Sequence, residues 1–200
     1  MKSGIFIVFE GLDGSGKSTC AQRTAQLLGA RHMRTPDGDL LEHRGRILNS
    51  FEGSQEAAQL LYLASVTSAS ARITKYLDAG ESVVLDRYLL STQVYAEFRG
   101  SKLQIEDAVA HVLRPADLTV FLDAPLDVRC ARVRSRSQIL PDDDAQTLVA
   151  EADSSLRRGY MRRLESRIVG RVLVLDSSSL TAERVAEVVA DEIANLGGAL

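Results

Sequence analysis

The chain contains no tryptophan, only two cysteines and 5% aromatic residues, and the shortage of cysteine excludes several classes of protein. Cys20 and Cys130 lie far apart in the sequence, so they form neither a CxxC motif nor a disulfide framework of the kind that stabilises small secreted domains. We expect both to be small buried residues in a reducing compartment, which predicts a cytoplasmic protein.

Long apolar runs are also missing. No stretch approaches the roughly 20 apolar residues of a transmembrane helix. The run from Ile5 to Phe9 is too short for a signal peptide and is closed by an acid, Glu10. We therefore predict no membrane partner. The net charge of -3 also argues against nucleic acid as a partner.

The 200 residues, of which 45% are hydrophobic and 26% charged, predict one globular domain that covers residues 1–200. Short apolar runs predict strands at 5–9, 32–34, 82–85, 118–122 and 171–175. Helical periodicity predicts helices at 17–28, 40–48, 55–78, 126–134, 145–168 and 181–196. Strands that alternate with helices in this way are typical of a doubly wound α/β fold with a parallel sheet.

The strongest chemical signal is GLDGSGKS, from Gly11 to Ser18, which matches GxxxxGK[ST] between a strand and a helix. Glycines let such a loop aim its N–H groups at phosphate oxygens, and the helix N-terminus adds positive potential. Lys17 is expected to bind the β- and γ-phosphates of ATP, and Ser18 to ligate Mg²⁺. The predicted ATP-binding residues are Gly11, Leu12, Asp13, Gly14, Ser15, Gly16, Lys17, Ser18, Thr19 and Arg132.

Other segments narrow the reaction class. The chain has no NKxD-type stretch, which a GTPase uses to read its base. The strand before Asp86 continues as Asp-Arg-Tyr and not as the Asp-Glu of a motor ATPase. The sequence therefore favours a kinase that acts on a small molecule.

Several segments together resemble the thymidylate kinase family over nearly the whole chain. They are FEGLDGSGKST (9–19), RTPDGD (34–39), DRYLLSTQVY (86–95), RPADLTVFLDAPLDV (114–128), RVRSR (132–136) and LDSSSLTAERVAEVV (175–189). The resemblance implies a P-loop fold with a five-stranded parallel sheet flanked by helices and a short lid at about residues 136–145. It implies ATP- and Mg²⁺-dependent phosphorylation of a pyrimidine (deoxy)nucleoside 5′-monophosphate, and a homodimer formed through residues 40–78.

The resemblance also implies roles for single residues. Arg87 and Arg34 would hold the acceptor phosphate from opposite walls. Asp13 would accept from the sugar 3′-hydroxyl, Tyr95 would crowd the ribose 2′ position, and Asp86 would help to hold Mg²⁺. A cis peptide bond is implied before Pro36. The implied acceptor site comprises Asp13, Arg34, Pro36, Tyr62, Ser65, Val66, Arg87, Ser91, Thr92 and Tyr95.

Three features depart from the family pattern, and one of them is Thr35, which stands where the family has glutamate. Tyr62 supplies the aromatic that stacks on the base, but Val66 stands four positions later where the family has arginine. A valine cannot donate to a base carbonyl, so we expect weaker recognition of thymine and a KM for dTMP raised about tenfold to a hundredfold. The lid segment 137–145 contains no arginine, so the catalytic arginine is expected to be Arg134 or Arg136 on the preceding helix.

These departures leave alternatives open. One is a kinase for a modified pyrimidine nucleotide or for a nucleoside. The other is a relative that binds nucleotide without catalysis. The pair of Arg34 and Arg87 argues against a bare nucleoside, because both cations would face no anion.

Overall fold

The computed structural model describes residues 4–136 and 146–197. Its sheet has five strands, all parallel, in the order β2-β3-β1-β4-β5. The strands are β1 (Phe6–Gly11), β2 (Arg31–Arg34), β3 (Val83–Asp86), β4 (Leu118–Asp123) and β5 (Arg171–Asp176). The predicted parallel α/β sheet is confirmed, and each strand lies within about two residues of its predicted bounds.

The helices are α1 (Lys17–Leu28), α2 (Gly38–Asn49), α3 (Gln55–Asp78), α4 (Leu89–Phe98), α5 (Glu106–Ala110), α6 (Leu126–Arg136), α7 (Ala150–Arg163) and α8 (Ala182–Gly197). The bounds predicted for α1 and α3 are confirmed. The prediction of a helix over 145–168 was too long, because the chain turns after Arg163 and buries Ile168 and Val169 in the core. Residue 145 lies outside the described residues.

The sheet is covered on both faces, as its apolar strands require. Phe6 and Val8 of β1 pack on the side of α3 and α4, whereas Ile7 and Phe9 pack on the side of α1 and α8. Within the described ranges, no helix combines the length and the apolar character needed to cross a membrane.

The strand order places the polar loops of the chain at one edge of the sheet. β1 lies between β3 and β4, so the sheet order switches direction beside it, and a crevice opens at the carboxyl ends of these strands. The register pairs Phe9 with Asp86, which brings the loop after β1 next to the end of β3. The predicted phosphate loop and the Asp86-Arg87 pair therefore meet at this edge.

Candidate active site

The loop of residues 11–16 joins β1 to α1 and requires glycine at two of its positions. Gly11 and Gly14 have φ angles of +140° and +80°. A Cβ atom would lie 2.3 Å from the Leu122 carbonyl oxygen at Gly11, and 2.7 Å from that of Arg129 at Gly14. Any larger residue would force the loop away from β4 and α6, which fixes the shape of the phosphate cradle.

Lys17 is a buried cation at the start of α1, with only 4% of its surface exposed. Its Nζ donates to the carbonyl oxygen of Leu12 at 2.7 Å, inside the loop. Burial and the charge of Arg87 together lower the pKa of Lys17 to about 8, while Asp13 and Asp86 act in the opposite sense. A desolvated ammonium group in this position is suited to bind an anion.

Ser18 and Asp86 provide oxygen atoms beside Lys17. The Ser18 hydroxyl donates to Asp86 Oδ2 at 2.5 Å. Asp86 Oδ1 is buried and has no hydrogen-bond partner among the residues that the structure describes. Magnesium takes hard oxygen ligands and usually combines one or two protein oxygens with water and phosphate, so this pair fits it.

Arg87 connects the end of β3 to the phosphate loop. It has a φ angle of +70°, a strained conformation for a residue other than glycine. Its carbonyl oxygen accepts from the Thr35 hydroxyl at 2.7 Å, and its N–H donates to the Phe9 carbonyl at 3.0 Å. Its guanidinium donates to the carboxylate of Asp13, so a residue of the phosphate loop is paired with the cation after β3.

Asp13 is stabilised as an anion. Burial alone would raise its pKa, but the charges of Arg87 and Lys17 and a hydrogen bond from Tyr95 hold the pKa well below its usual range. The Tyr95 hydroxyl donates to Asp13 Oδ2 at 2.7 Å, and the Thr147 hydroxyl donates to the same oxygen at 3.2 Å. Asp13 therefore fixes the loop, α4 and the segment before α7 relative to one another.

Glu10 supports this arrangement from inside the protein. Its fully buried carboxylate accepts from the N–H groups of Tyr88 at 2.9 Å and Ser91 at 3.2 Å, and from the Ser91 hydroxyl. Burial raises its pKa, and these hydrogen bonds oppose the rise. Glu10 thus caps the first turn of α4, directly after Arg87. An acid at the end of a fully apolar strand is the sequence signal that identifies it.

A cavity opens beside Arg87 between α3 and α4, and α2 contributes to its wall. Its lining residues are Asp13, Thr35, Pro36, Arg44, Gln55, Ala58, Gln59, Tyr62, Arg87, Ser91, Thr92, Tyr95, Ala96 and Arg99. The peptide bond between Thr35 and Pro36 is cis, which confirms the prediction for this bond. The cavity shares Asp13 with the phosphate loop, so two anionic groups bound in the loop and in the cavity would be neighbours.

The structure brings most residues of the predicted acceptor site into this cavity but leaves three outside it. The residues that line it are Asp13, Pro36, Tyr62, Arg87, Ser91, Thr92 and Tyr95. Arg34 is exposed at the end of β2 and does not line the cavity. Ser65 and Val66 are buried in α3, and Val66 packs in the core with 1% of its surface exposed. Val66 therefore cannot be the position from which α3 contacts a ligand.

The position of Val66 makes a measurable prediction. Arginine at position 66 would bury an unpaired guanidinium in the core, and we expect Val66→Arg to lower the free energy of unfolding by about 3 kcal/mol or more. Urea unfolding is the measurement, with Ser68→Arg on the exposed side of α3 as the matched control. Equal stability of the two variants would contradict the burial of Val66.

Residues that the sequence motifs missed also line the cavity. They are Arg44, Gln55, Ala58, Gln59, Ala96 and Arg99. Helical spacing was the available signal for most of them. On α3 the spacing is i, i+3, i+4 and i+7 from Gln55 to Tyr62, and on α4 the same spacing runs from Thr92 to Arg99. Each helix therefore turns one continuous face to the cavity.

The arginines of α6 have different surroundings. Arg129 is fully buried and donates to the Asp13 carbonyl oxygen at 3.0 Å and to the carboxylate of Asp153. Arg132 donates to the Ser177 carbonyl oxygen at 2.6 Å and to that of Ser15, in the phosphate loop, at 3.4 Å. Arg134 and Arg136 are exposed, and the lid segment 137–145 lies outside the described residues. Both arginines therefore contact the phosphate loop. Arg132 does so as a half-buried side chain, and Arg129 from the protein interior.

Three features define the class of protein as a P-loop nucleotide kinase. They are the phosphate loop after β1, the acidic end of β3 beside Ser18, and the neighbouring cavity that shares Asp13 with the loop. The family model for thymidylate kinase matches residues 9–188. The chain belongs to the thymidylate kinase family, and it is accordingly a nucleoside monophosphate kinase, a phosphotransferase.

Individual relatives agree with this assignment. The chain is 35% identical to a thymidylate kinase of Desulforudis audaxviator, over 96% of this chain and 89% of the relative. It is 32% identical to a probable thymidylate kinase of Thermococcus gammatolerans, over 81% and 84% of the two chains. The solved structure of thymidylate kinase from Candida albicans is 21% identical and covers 98% of this chain and 93% of its own, with a TM-score of 0.71. That structure supports the fold.

Proposed function

We propose that this protein transfers the γ-phosphoryl group of ATP to the 5′-phosphate of dTMP and so forms ADP and dTDP. The observation that carries the proposal is the ion pair between Arg87 and Asp13. Asp13 belongs to the phosphate loop and Arg87 to the wall of the neighbouring cavity, so donor and acceptor phosphates held by these two elements lie side by side. In-line transfer between two nucleotides requires this adjacency.

Both substrates are polyanions, so the first task of the site is to neutralise their repulsion. The N–H groups of the loop and the ammonium group of Lys17 bind the phosphates of ATP. Arg87 presents a planar guanidinium that can hold the acceptor phosphate through two parallel hydrogen bonds. The Ser18 hydroxyl and Asp86 would hold Mg²⁺, which neutralises charge on the transferring phosphate when it is bound.

Further cations complete the proposed acceptor and transfer sites. Arg44 of α2 lines the cavity and is a candidate for the second phosphate clamp, the role that the family resemblance assigns to Arg34. Arg134 and Arg136 precede the lid segment, and we retain them as candidates for contact with the transferring phosphoryl group. Arg132, beside Ser15, is the candidate for contact with ATP.

The Asp13 carboxylate and Tyr95 are proposed to bind the sugar. Asp13 is an acceptor for the 3′-hydroxyl, and the buried ring of Tyr95 lies where it would crowd a 2′-hydroxyl. Tyr62 offers an aromatic face to the base. Thr92 lies across the same cavity and could contact the edge of the base.

The proposal includes a cytoplasmic homodimer. Support for the dimer comes from α2, which buries none of its residues, and from Leu60 on α3, which is 51% exposed. The apolar residues of α2, such as Leu41 and Leu48, are only half-buried, which makes this helix a candidate for contact between subunits. Light scattering with size-exclusion chromatography measures the mass, and a monomer at micromolar concentration would contradict the dimer.

The experiment that tests the proposed function measures ADP formation from ATP with a panel of acceptors. We expect turnover with dTMP, and none above background with thymidine, because thymidine leaves Arg87 without a phosphate to bind. Phosphorylation of thymidine with no use of monophosphates would replace the proposal by a nucleoside kinase. ATP hydrolysis with every acceptor at the rate seen without acceptor would contradict kinase activity.

The pKa of Lys17 predicts how ATP binding depends on pH. The charged form, which binds phosphate, predominates below about pH 8 and is lost as the pH rises through that value. We expect the Kd for ATP to be constant below this pH and to rise above it by up to about tenfold per pH unit. Calorimetric titration from about pH 7 to 9.5 measures the change, with the ATP phosphates ionised throughout. Lys17→Ala should remove the pH dependence, whereas a flat profile in the unmodified protein would contradict this role.

A further inference from the structure

The cavity has a cation at each end of its α4 wall. Arg87 precedes α4 and Arg99 follows it, and both line the cavity. Thr92, Tyr95, Ala96 and Arg99 share one face of this helix, along which Arg99 lies about 10 Å beyond Thr92. A nucleotide whose phosphate is bound at Arg87 therefore extends its base along this face toward Arg99.

Contacts within α4 hold Arg99 in position. It is the C-cap of α4, and its N–H donates to the Tyr95 carbonyl at 3.0 Å. Its guanidinium lies 5.8 Å from the centre of the Tyr95 ring, within the range of a cation–π contact. A cation at the carboxyl end of a helix also interacts favourably with the helix dipole. Ala96 lies between Tyr95 and Arg99 on this face, and its small side chain leaves room for a base beside them.

Two neutral side chains that line this end of the cavity, Gln59 and Thr92, are hydrogen-bonded within the protein. Gln59 accepts from the Ser101 hydroxyl at 2.5 Å and donates to Gln93 at 2.7 Å. The Thr92 hydroxyl donates to the Tyr88 carbonyl at 3.3 Å. Gln59 would have to break these bonds to contact a base, and its partner Gln93 is itself buried.

We propose that Arg99 is the residue that recognises the base, by donating hydrogen bonds to the carbonyl oxygen atoms of a 4-oxo pyrimidine. The inference rests on the proposed function, because it takes the cavity as the acceptor site. A guanidinium group has only donors. Thymine and uracil present an acceptor at position 4, whereas cytosine presents an amino donor there. Arg99 therefore favours thymine and uracil and disfavours cytosine, since a donor facing a donor leaves both unpaired. In this proposal the arginine that recognises the base lies on α4, so base recognition does not require an arginine at position 66 of α3.

The test compares Arg99→Met and Arg99→Lys with the unmodified protein. Arg158→Met is the matched control, because Arg158 is an exposed arginine of α7 outside the cavity. Calorimetry gives the Kd for dTMP, dUMP and dCMP, and a coupled assay gives kcat/KM for each. We expect Arg99→Met to weaken binding of dTMP and dUMP about tenfold to a hundredfold and that of dCMP by much less. Arg99→Lys should retain part of the preference, and Arg158→Met all of it.

The outcomes separate this inference from the proposed function. An unchanged ratio of dTMP to dCMP affinity in Arg99→Met would overturn the assignment. So would an equal loss for all three nucleotides, which would place Arg99 against the phosphate or sugar. If the unmodified protein turned over no monophosphate, the proposed function would fail, while the calorimetric ratios would still decide the role of Arg99. Arg99→Lys keeps the test decisive if Arg99→Met does not fold.

Discussion

Replacement of Arg87 by alanine is expected to lower kcat/KM for the acceptor by at least about a hundredfold, since it removes a charge-assisted clamp from a reacting phosphate. The loss should appear mainly with the acceptor, because the proposed function assigns the ATP phosphates to the loop of residues 11–16 and to Lys17, whose Nζ lies inside that loop. Asp13 would lose its ion-pair partner, so its pKa should rise and the protein should lose some stability.

Two controls distinguish the clamp from a structural effect of Arg87. Arg87→Lys keeps the positive charge beside Asp13 but loses the planar fork, so we expect it to recover stability and only part of the activity. Arg158→Ala removes an exposed arginine and should change neither the stability nor the activity of the protein. Normal turnover by a folded Arg87→Ala protein would show that the acceptor phosphate is bound elsewhere, and Arg44 would then be the first residue to test.

Replacement of Lys17 by alanine is expected to reduce kcat by about a hundredfold to a thousandfold. The buried ammonium group already lies inside the phosphate loop, so it needs little reorganisation to bind ATP. The fold should survive, because the substitution removes a charge that is desolvated in the folded protein. Rapid-mix measurement of the first turnover separates this loss from slow product release.

Lys75→Ala is the matched control for Lys17→Ala. Lys75 is exposed on α3 and does not line the cavity, so its loss should leave kcat within about twofold of the original value. Activity of Lys17→Ala comparable to that of Lys75→Ala would contradict the assignment of the phosphate loop.

The strands and most helices could be predicted because their apolar patterns match their surroundings. β1, β3 and β4 are apolar runs buried on both faces of the sheet. α4 escaped prediction by periodicity because it is buried around most of its circumference, so no amphipathic period exists over Leu89–Phe98. α5 has only five residues, too few for a period.

The phosphate loop could be identified from sequence because a local backbone shape and a fixed spacing define it. The acceptor cavity could be predicted only in part, because several helices build it. Tyr62 and Val66 are four positions apart, which leaves them about 40° apart around α3. At the edge of a groove this rotation is enough to place Tyr62 against the cavity and Val66 in the core. Arg99 continues the face of α4 that begins at Thr92, whereas Arg44 enters the cavity through the packing of α2, which no local pattern encodes.

The buried charges explain why these elements keep their positions. Lys17, Asp13 and Arg87 form a continuous electrostatic group at the carboxyl edge of the sheet, and the buried carboxylate of Glu10 adds a further charge that interacts with Arg87. Each of these charges is desolvated, so the removal of one leaves the charge of its partner buried and uncompensated. The site is therefore preorganised for anions before any substrate binds, which reduces the reorganisation needed during transfer.

The most direct test of phosphoryl transfer follows the phosphorus atom itself. ATP labelled in the γ-phosphate is mixed with excess enzyme and dTMP, and the products of a single turnover are separated. The label should appear in dTDP, at a rate that falls by at least about a hundredfold in Arg87→Ala. Label found only in free phosphate, at the same rate with and without dTMP, would contradict the account.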